Sequence, residues 1–189
     1  MDFKWKESLN TWKEDWSEHP PSQDERRIIE HLKKTSPHTG KTLLHIGIGS
    51  STLASELSWY DKFDRIDGIT VLQSEIDKAN SLKIKNYNVY LCNKHTIFFL
   101  DLPKYDLIVD NGILTFSDCE ICAFNLFHSF LRLLNPDGLV LTDSFGMYFA
   151  KKNTPSTFRK LIEKFGVDLE VVEYNDTVPH CVTGLRAKK

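Results

Sequence analysis

Several features that would place the chain in a special class are scarce or missing. Its 189 residues include 4 cysteines, too few and too scattered for a disulfide-stapled scaffold. No apolar run approaches the roughly 20 residues that span a bilayer. The N-terminal stretch, residues 1–10, is amphipathic and charged, without the apolar segment of a secretory signal. We therefore expect a cytoplasmic protein that makes no contact with a membrane.

A strong charge imbalance is missing as well. Lysine and arginine number 24 against 26 aspartate and glutamate, and the formal net charge is −2 at pH 7. Such a chain has no overall basic field to hold a polyphosphate, so we expect no nucleic-acid partner. The stretch near the N-terminus contains lysines and tryptophans, but neighbouring acids offset the positive charge of the lysines. This pattern indicates a helix with a solvated face rather than a nucleic-acid or membrane surface.

Cys119 and Cys122 form a C-x-x-C pair. The sequence has no second pair of this kind, and an apolar helical run follows the first. We therefore favour free thiols at the start of a helix, with a redox or metal-binding pair as the alternative.

No repeat or linker-like segment divides the chain, and its length fits one domain. The N-terminal stretch carries four apolar residues on one helical face: Trp5, Leu9, Trp12 and Trp16. This stripe predicts a helix that lies against the body of the protein or over a site. The segment from Ser22 to Glu25 is typical of a capping box that opens a second helix. We assign residues 1–36 to a helical cap packed on the core and residues 37–189 to the core.

From Thr42 onward, apolar strands alternate with helical segments. Strands are predicted at residues 43–46, 65–71, 88–91, 105–109, 139–142, 169–174 and 182–187. Alternation of this kind favours a mostly parallel sheet covered on both faces. No helix separates the last two strands, so we expect them to pair as an antiparallel hairpin at an edge. The predicted fold class is α/β: a doubly wound, mostly parallel seven-stranded sheet with an antiparallel C-terminal hairpin strand and an N-terminal helical cap.

A glycine-rich turn follows the first strand. Gly47 and Gly49 let the backbone approach a ligand closely, and the helix that begins after Ser51 offers unpaired N–H groups. In an open parallel sheet, such a turn lies at the carboxyl ends of the strands, where ligands bind. The sequence therefore predicts a ligand site at this turn.

The turn and four later segments resemble the motifs of class I S-adenosylmethionine-dependent methyltransferases. Leu44 to Ser51 is similar to the first motif, hydrophobic-acid-x-Gly-x-Gly-x-Gly. The later segments are Gly68 to Thr70 at the second strand end, Asn93 after the third strand, Tyr105 to Leu114 along the fourth, and the turn Asn135-Pro-Asp-Gly138 before the fifth. The resemblance runs from about Thr42 to the C-terminus. It implies S-adenosylmethionine as cofactor and S-adenosylhomocysteine as product.

The resemblance also implies a cofactor groove with seven lining residues: His45, Gly47, Gly49, Ser51, Thr70, Asn93 and Asp110. Four of them depart from the family pattern. Ser51 replaces the third glycine, and His45 stands at the first-motif acid, where we expect it to be buried, neutral and hydrogen-bonded. Thr70 replaces the acid that holds the ribose, and Asn93 replaces the adenine-facing acid, although its amide oxygen can still accept. Because carboxylate hydrogen bonds are the stronger ones, we expect weaker cofactor binding or acids supplied from elsewhere.

Methyl transfer needs an aligned acceptor and, for many oxygen or nitrogen acceptors, a base that removes a proton. Polar candidates follow the fourth and fifth strands: Asp110, Asn111, Asp143, Ser144 and Tyr148. We take Asp110, Asp143 and, from the terminal hairpin loop, His180 as candidate catalytic residues. The oxygens of Asp110, Asn111 and Asp143 also suit Mg²⁺, as in metal-dependent O-methyltransferases of this fold. Their order along the chain differs from those enzymes, so we expect no metal.

The favoured function is methyl transfer from S-adenosylmethionine to an oxygen or nitrogen of a small-molecule acceptor. The chain has no large inserted substrate domain, so the acceptor is either small or contacted by a partner subunit, which leaves a homodimer open. Two alternatives also stay open: a non-catalytic relative that binds a nucleoside or another protein, and an aminopropyltransferase-like enzyme. DNA base methylation is not expected, because Asp110-Asn-Gly stands where those enzymes carry Asn-Pro-Pro-Tyr.

Overall fold

The computed structural model describes residues 14–35, 40–60, 63–115, 120–143, 154–174 and 182–189. The helices are α1 (Gln23–Thr35), α2 (Thr52–Tyr60), α3 (Gln73–Ser81), α4 (Glu120–Leu133) and α5 (Pro155–Phe165). The strands are β1 (Thr42–Ile46), β2 (Arg65–Thr70), β3 (Tyr87–Leu91), β4 (Tyr105–Asp110), β5 (Leu134–Asp143), β6 (Leu169–Glu173) and β7 (Val182–Ala187). A 3₁₀-helix, Lys94–Phe99, joins β3 to β4. None of the described helices is long and apolar enough to cross a membrane.

Within the described residues, seven strands form one sheet in the order β3-β2-β1-β4-β5-β7-β6. Neighbouring strands from β3 to β5 run parallel, whereas β7 is antiparallel to both β5 and β6. The predicted fold class and the antiparallel terminal hairpin are confirmed, with β6 as the outermost strand. The strand order reverses between β1 and β4, which is where ligands bind in sheets of this kind.

Apolar side chains alternate between the two faces of the sheet. Leu43 and Val109 belong to an apolar cluster with α1 and α2, while Leu44 and Ile108 belong to a second cluster with α4 and α5. This burial on both faces explains why the central strands are almost continuously apolar in sequence. Through Ile28, α1 is part of the first cluster, so this portion of the cap packs directly on the sheet.

The fifth strand begins earlier than predicted. Residues 135–138, which are typical of a turn, lie inside β5, and the pairing with β4 shifts register after Tyr105. The Asn135 amide donates to Asp106 Oδ1 at 2.8 Å, and a Cβ on Gly138 would lie 2.8 Å from the Tyr105 carbonyl oxygen. The proline and glycine therefore mark a bulged strand with a close backbone approach, and the prediction of a turn before the fifth strand is wrong.

Two smaller predictions also need correction. The Glu25 N–H donates to Ser22 Oγ at 3.4 Å, but the Glu25 carboxylate accepts from the Leu53 N–H at 3.1 Å, so only half of the capping box forms. Cys122 is disulfide-bonded, so the free-thiol interpretation is wrong for this residue. Cys119 and the tryptophan stripe before Trp16 lie outside the described residues.

Candidate cofactor site

A cavity of about 180 Å³ opens at the carboxyl ends of β1, β2 and β4. The predicted residues that line it are Gly47, Gly49, Thr70, Asn93 and Asp110. The segment from Trp16 to Glu25 contributes a second set of lining residues that the sequence did not assign to the site: Trp16, His19, Pro20, Ser22, Asp24 and Glu25. The structure thus joins the glycine turn and three strand ends to the start of α1 around one cavity.

The glycine turn has the open backbone that close ligand approach requires. Gly47 and Gly49 have φ of 75° and 48°, in the left-handed region that glycine adopts without strain. A Cβ on Gly47 would meet no atom within 4 Å, whereas one on Gly49 would lie 3.4 Å from Trp16 Cβ. The turn therefore offers free space at Gly47 and holds the N-terminal segment against Gly49.

Two predicted groove residues do not line the cavity. Ser51, with φ of 60°, is buried, and its hydroxyl hydrogen-bonds the Tyr87 hydroxyl at 2.9 Å. His45 is fully buried within β1, and burial lowers its pKa to about 4, so the ring is neutral as expected. Neither ring nitrogen of His45 has a hydrogen-bond partner, so the prediction of a hydrogen bond to this ring is wrong. Strand alternation places His45 on the same face as Leu43, under α1 and α2, which explains its distance from the groove.

A carboxylate stands at the end of β2 although the sequence has Thr70 there. Glu75, in the first turn of α3, is 2% exposed, lines the cavity and accepts a hydrogen bond from the Thr70 hydroxyl. The Trp16 N–H donates to the same carboxylate at 3.4 Å. Burial raises the pKa of Glu75, opposed by the hydrogen bond from Thr70. Sequence analysis missed this residue because an acid in a first helical turn is ordinary.

Asn93 lines the cavity beside the end of β3, but its amide oxygen already has a partner. The oxygen accepts from the His95 N–H at 2.9 Å and so caps the 3₁₀-helix Lys94–Phe99. This cap fixes the amide within the cavity wall. To face adenine as predicted, this oxygen would have to accept a second hydrogen bond besides the one from the His95 N–H.

Asp110 lines the cavity and is held in place on both sides. Lys94 Nζ lies 3.2 Å from its Oδ2, and the Gly112 N–H donates to its Oδ1 at 3.1 Å. The same ammonium donates to the carbonyl oxygens of Gly112 and Ile113 at 2.8 and 3.1 Å. Asp110 and Lys94 therefore fix the loop after β4, in an arrangement that limits the use of Asp110 as a base.

Asp143, the second catalytic candidate, does not line the cavity. Its side chain is fully buried, and Arg27 of α1 donates to both oxygens at 2.6 and 3.0 Å. A carboxylate enclosed by a bidentate guanidinium cannot reach a substrate, so the geometry contradicts a catalytic role for Asp143. The remaining candidates, Ser144, Tyr148 and His180, lie outside the described residues.

The Mg²⁺ alternative is opposed by the same ion pairs. Lys94 pairs with Asp110 and Arg27 pairs with Asp143, so each carboxylate that would bind the ion already faces a cation. Within the described part of the chain, no three His, Cys, Asp or Glu side chains are grouped as a metal site requires.

Two acids of α1 line the cavity instead. Asp24 and Glu25 are 3% and 7% exposed. Burial raises the pKa of both, and that of Glu25 reaches about 7. A carboxyl with a pKa near neutrality is able to bind and release a proton under ordinary conditions.

We expect Glu25→Gln to change how stability depends on pH. Because the folded pKa lies above the ordinary value of 4.5, Glu25 costs no stability below about pH 4.5 and lowers it as the pH rises through about 7. One pKa unit is about 1.4 kcal/mol, so the rise of the Glu25 pKa from 4.5 to about 7 should make the variant more stable than the wild type by on the order of 3 kcal/mol at pH 8. Urea unfolding at pH 4 and pH 8 measures this. Equal differences at both pH values would contradict the burial of an ionised Glu25.

No protein-family model and no curated protein matches the chain, but 941 chains of solved structures are similar to it. N-methyltransferase NodS from Bradyrhizobium japonicum WM9, in complex with S-adenosyl-L-homocysteine, is 15% identical with a TM-score of 0.64 over 100% of both chains. Ribosomal protein L11 methylase from Lactobacillus delbrueckii subsp. bulgaricus is 14% identical, with a TM-score of 0.63 over 90% of this chain and 81% of that chain. An rRNA methylase from Streptococcus thermophilus is 11% identical, with a TM-score of 0.51 over 87% of this chain and 94% of that chain. The chain therefore has the fold of the class I S-adenosylmethionine-dependent methyltransferases.

Proposed function

We propose that the chain binds S-adenosylmethionine and transfers its methyl group to an oxygen or nitrogen of a small-molecule acceptor. The observation that carries this proposal is the pair of Glu75 and Thr70 beside the open glycine turn. Glu75 places a charged hydrogen-bond acceptor at the end of β2, where the sequence has Thr70 instead of the acid of the family pattern. A carboxylate in this position is suited to accept hydrogen bonds from the two ribose hydroxyls.

The charges of the cavity also fit this cofactor. S-adenosylmethionine carries a cationic sulfonium, and Glu75 and Asp110 line the cavity. The one lysine of the described lining, Lys94, is held by Asp110. The excess of acids therefore favours a cationic ligand.

We assign each part of the cofactor to the lining residues whose side chains or backbone can hydrogen-bond it. Glu75 and Thr70 would hold the ribose, and Asn93 would lie beside the adenine. The backbone at Gly47 and Gly49 would hold the amino-acid part at the start of α2, where the helix dipole favours a carboxylate. Sequence reasoning proposed four of these residues, and Glu75 is the addition.

When bound, S-adenosylmethionine supplies an electrophilic methyl group, and the carbon–sulfur electron pair stays on sulfur. The residues of the chain would orient the acceptor, exclude water and accept a proton. The segment around Trp16 forms one wall of the cavity and would restrict water. Asp110 and Lys94 would hold the loop after β4 as a fixed wall for the acceptor.

Both the comparisons and the cavity wall bear on the acceptor class. The solved structures with this fold include a ribosomal protein methylase and an rRNA methylase, so the fold does not support the expectation that nucleic acid is excluded. We favour a small acceptor because the chain's own segment from Trp16 to Glu25 forms one wall of the cavity. The cytoplasmic location and the open homodimer remain expectations.

Calorimetric titration with S-adenosylhomocysteine tests the cofactor assignment. We expect saturable binding in the micromolar range, with adenosine as a weaker ligand because it lacks the amino-acid part that the glycine turn would hold. Adenosine that binds as tightly would contradict the role of the turn. No heat at millimolar S-adenosylhomocysteine would remove the cofactor assignment.

A non-catalytic, nucleoside-binding domain is the second candidate, and one observation favours it. The two acids expected to act as bases are both held in ion pairs, Asp110 by Lys94 and Asp143 by Arg27. Tight binding of S-adenosylhomocysteine without methyl transfer to any compound of a metabolite extract would support this candidate over the enzyme.

A further inference from the structure

We propose that the methyl acceptor is a cationic amine, whose ammonium group binds between the acids of α1 and the loop after β4. The proposal rests on the proposed function and names the substrate class of the same cavity. The residues that carry it are Asp24 and Glu25 on α1, and Asn111 and Thr115 on the loop.

Two buried acids on α1 lie against the cavity without a salt-bridge partner among the described residues. Asp24 and Glu25 are almost fully buried and line the cavity. Within the described residues, neither forms a salt bridge with a lysine or arginine. The two nearest arginines in sequence have other partners, since Arg26 pairs with Glu56 and Arg27 with Asp143. Buried charges are normally paired, so a positively charged group of the ligand is the missing partner.

The loop after β4 contributes two buried polar atoms that have no hydrogen-bond partner. Thr115 is 9% exposed and lines the cavity, and its hydroxyl has no hydrogen-bond partner. The side-chain oxygen of Asn111, also in the lining, is buried and has no partner either. Buried polar atoms nearly always have a hydrogen-bond partner, so we infer that a ligand group supplies the partner of these two atoms. The Asn111 oxygen can only accept, so the ligand that satisfies it must carry hydrogen-bond donors.

The fold brings the acids and the loop to the same side of the cavity. Arg27 ties α1 to the end of β5 through Asp143, and Asp143 is close enough to Asp24 to raise its pKa. The Thr142 hydroxyl donates to the Asn111 carbonyl at 3.4 Å, which ties β5 to the loop after β4. Glu75 and Thr70 lie at the end of β2, on the other side of β1 in the sheet order. The loop after β4 and the pair of Glu75 and Thr70 therefore lie on opposite sides of β1.

Glu25 is placed to prepare such an acceptor. An ammonium nitrogen has no free electron pair, so it must lose a proton before it can bond to carbon. In this step the N–H bond breaks, its electron pair stays on nitrogen, and the proton passes to a Glu25 carboxylate oxygen and later to solvent. The Leu53 N–H holds Oε1 of this carboxylate at 3.1 Å. With a pKa of about 7 and the charges of Asp24, Arg26 and Glu56 around it, Glu25 both accepts and releases the proton near neutral pH.

The test compares two matched probes, phenethylamine and 2-phenylethanol, which differ in an ammonium against a hydroxyl group. Both are titrated at pH 8 into protein saturated with S-adenosylhomocysteine and into cofactor-free protein. We expect the amine to bind at least roughly tenfold more tightly than the alcohol. Addition of S-adenosylmethionine is expected to give an N-methylated amine by mass spectrometry.

Two variants locate the recognition. Asp24→Asn and Glu25→Gln are each expected to weaken amine binding at least roughly fivefold, with alcohol and S-adenosylhomocysteine affinities unchanged. The matched control is Asp77→Asn, an exposed acid of α3 that does not line the cavity and accepts from the Gln73 amide. If Asp24→Asn does not fold, Glu25→Gln decides alone, since we expect that variant to be more stable than the wild type at pH 8.

Three results would overturn the proposal: alcohol binding as tight as amine binding, binding of neither probe, or variants that weaken S-adenosylhomocysteine instead of the amine. The last result would assign the acids to the ammonium of the cofactor. Failure of the proposed function is a separate result, because wild-type protein would then not bind S-adenosylhomocysteine at all, whatever the probes do.

Discussion

Replacement of Glu75 by glutamine is expected to weaken S-adenosylhomocysteine binding by roughly 10- to 100-fold. Hydrogen bonds to a charged group contribute about 1.5–3 kcal/mol, and each 1.4 kcal/mol is a factor of ten in affinity. In the wild type, the carboxylate accepts from the Thr70 hydroxyl and the Trp16 N–H. A glutamine would present its NH₂ group to at least one of them. Calorimetric titration of the variant measures the loss.

The control for this variant lies on the same helix. Asp77→Asn changes an exposed carboxylate whose partner in the structure is the Gln73 amide, at 2.8 Å, and which does not line the cavity. We expect its affinity to equal that of the wild type within about twofold. A Glu75→Gln protein that is folded and binds as tightly as Asp77→Asn would remove Glu75 from the site. It would also remove the main support for the cofactor assignment.

The fold could be predicted because its signals are local. Each central strand is a short apolar run that ends at a polar turn, and burial on both faces of the sheet is what produces such runs. The start of β5 could not be predicted in this way. Its proline and glycine are typical of a turn, but the close contact between Gly138 and Tyr105 depends on a strand that lies elsewhere in the sequence.

The site residues also differ in whether a local sequence signal identifies them. Gly47, Gly49 and Thr70 could be assigned because a glycine turn and a strand end mark a ligand site by their position in sequence. Glu75 and Glu25 could not, because acids at a helix N-terminus are common for reasons of capping and helix dipole alone. Only packing shows that both carboxylates are enclosed with the cavity.

Asp143 shows the opposite error, a residue assigned to chemistry that has a structural role. Its position after a strand is where catalytic acids of open parallel sheets lie, and the sequence offers no local sign of a partner. Arg27 comes from 116 residues earlier in the chain, so the pairing depends on how α1 packs on the sheet. The residue type and the strand end were sufficient to predict where Asp143 lies but not what it contacts.

The ion pair between Arg27 and Asp143 leads to the largest expected effect on stability. Removal of one partner from a buried pair typically costs about 3–5 kcal/mol, because the other charge stays buried without compensation. Arg27→Met keeps much of the side-chain length and removes both donors to Asp143, so we expect a loss of this size in the free energy of unfolding. Arg26→Met is the matched control one residue away, because Arg26 pairs with Glu56 near the surface and should contribute about 0–1 kcal/mol.

Urea unfolding of Arg27→Met and Arg26→Met measures the difference in stability. The double variant Arg27→Met/Asp143→Asn, in which the buried charge is also removed, is unfolded in the same way. We expect the double variant to recover part of the loss. Equal stabilities for Arg27→Met and Arg26→Met would mean that Asp143 is not buried by α1, and would make Asp143 a candidate base again.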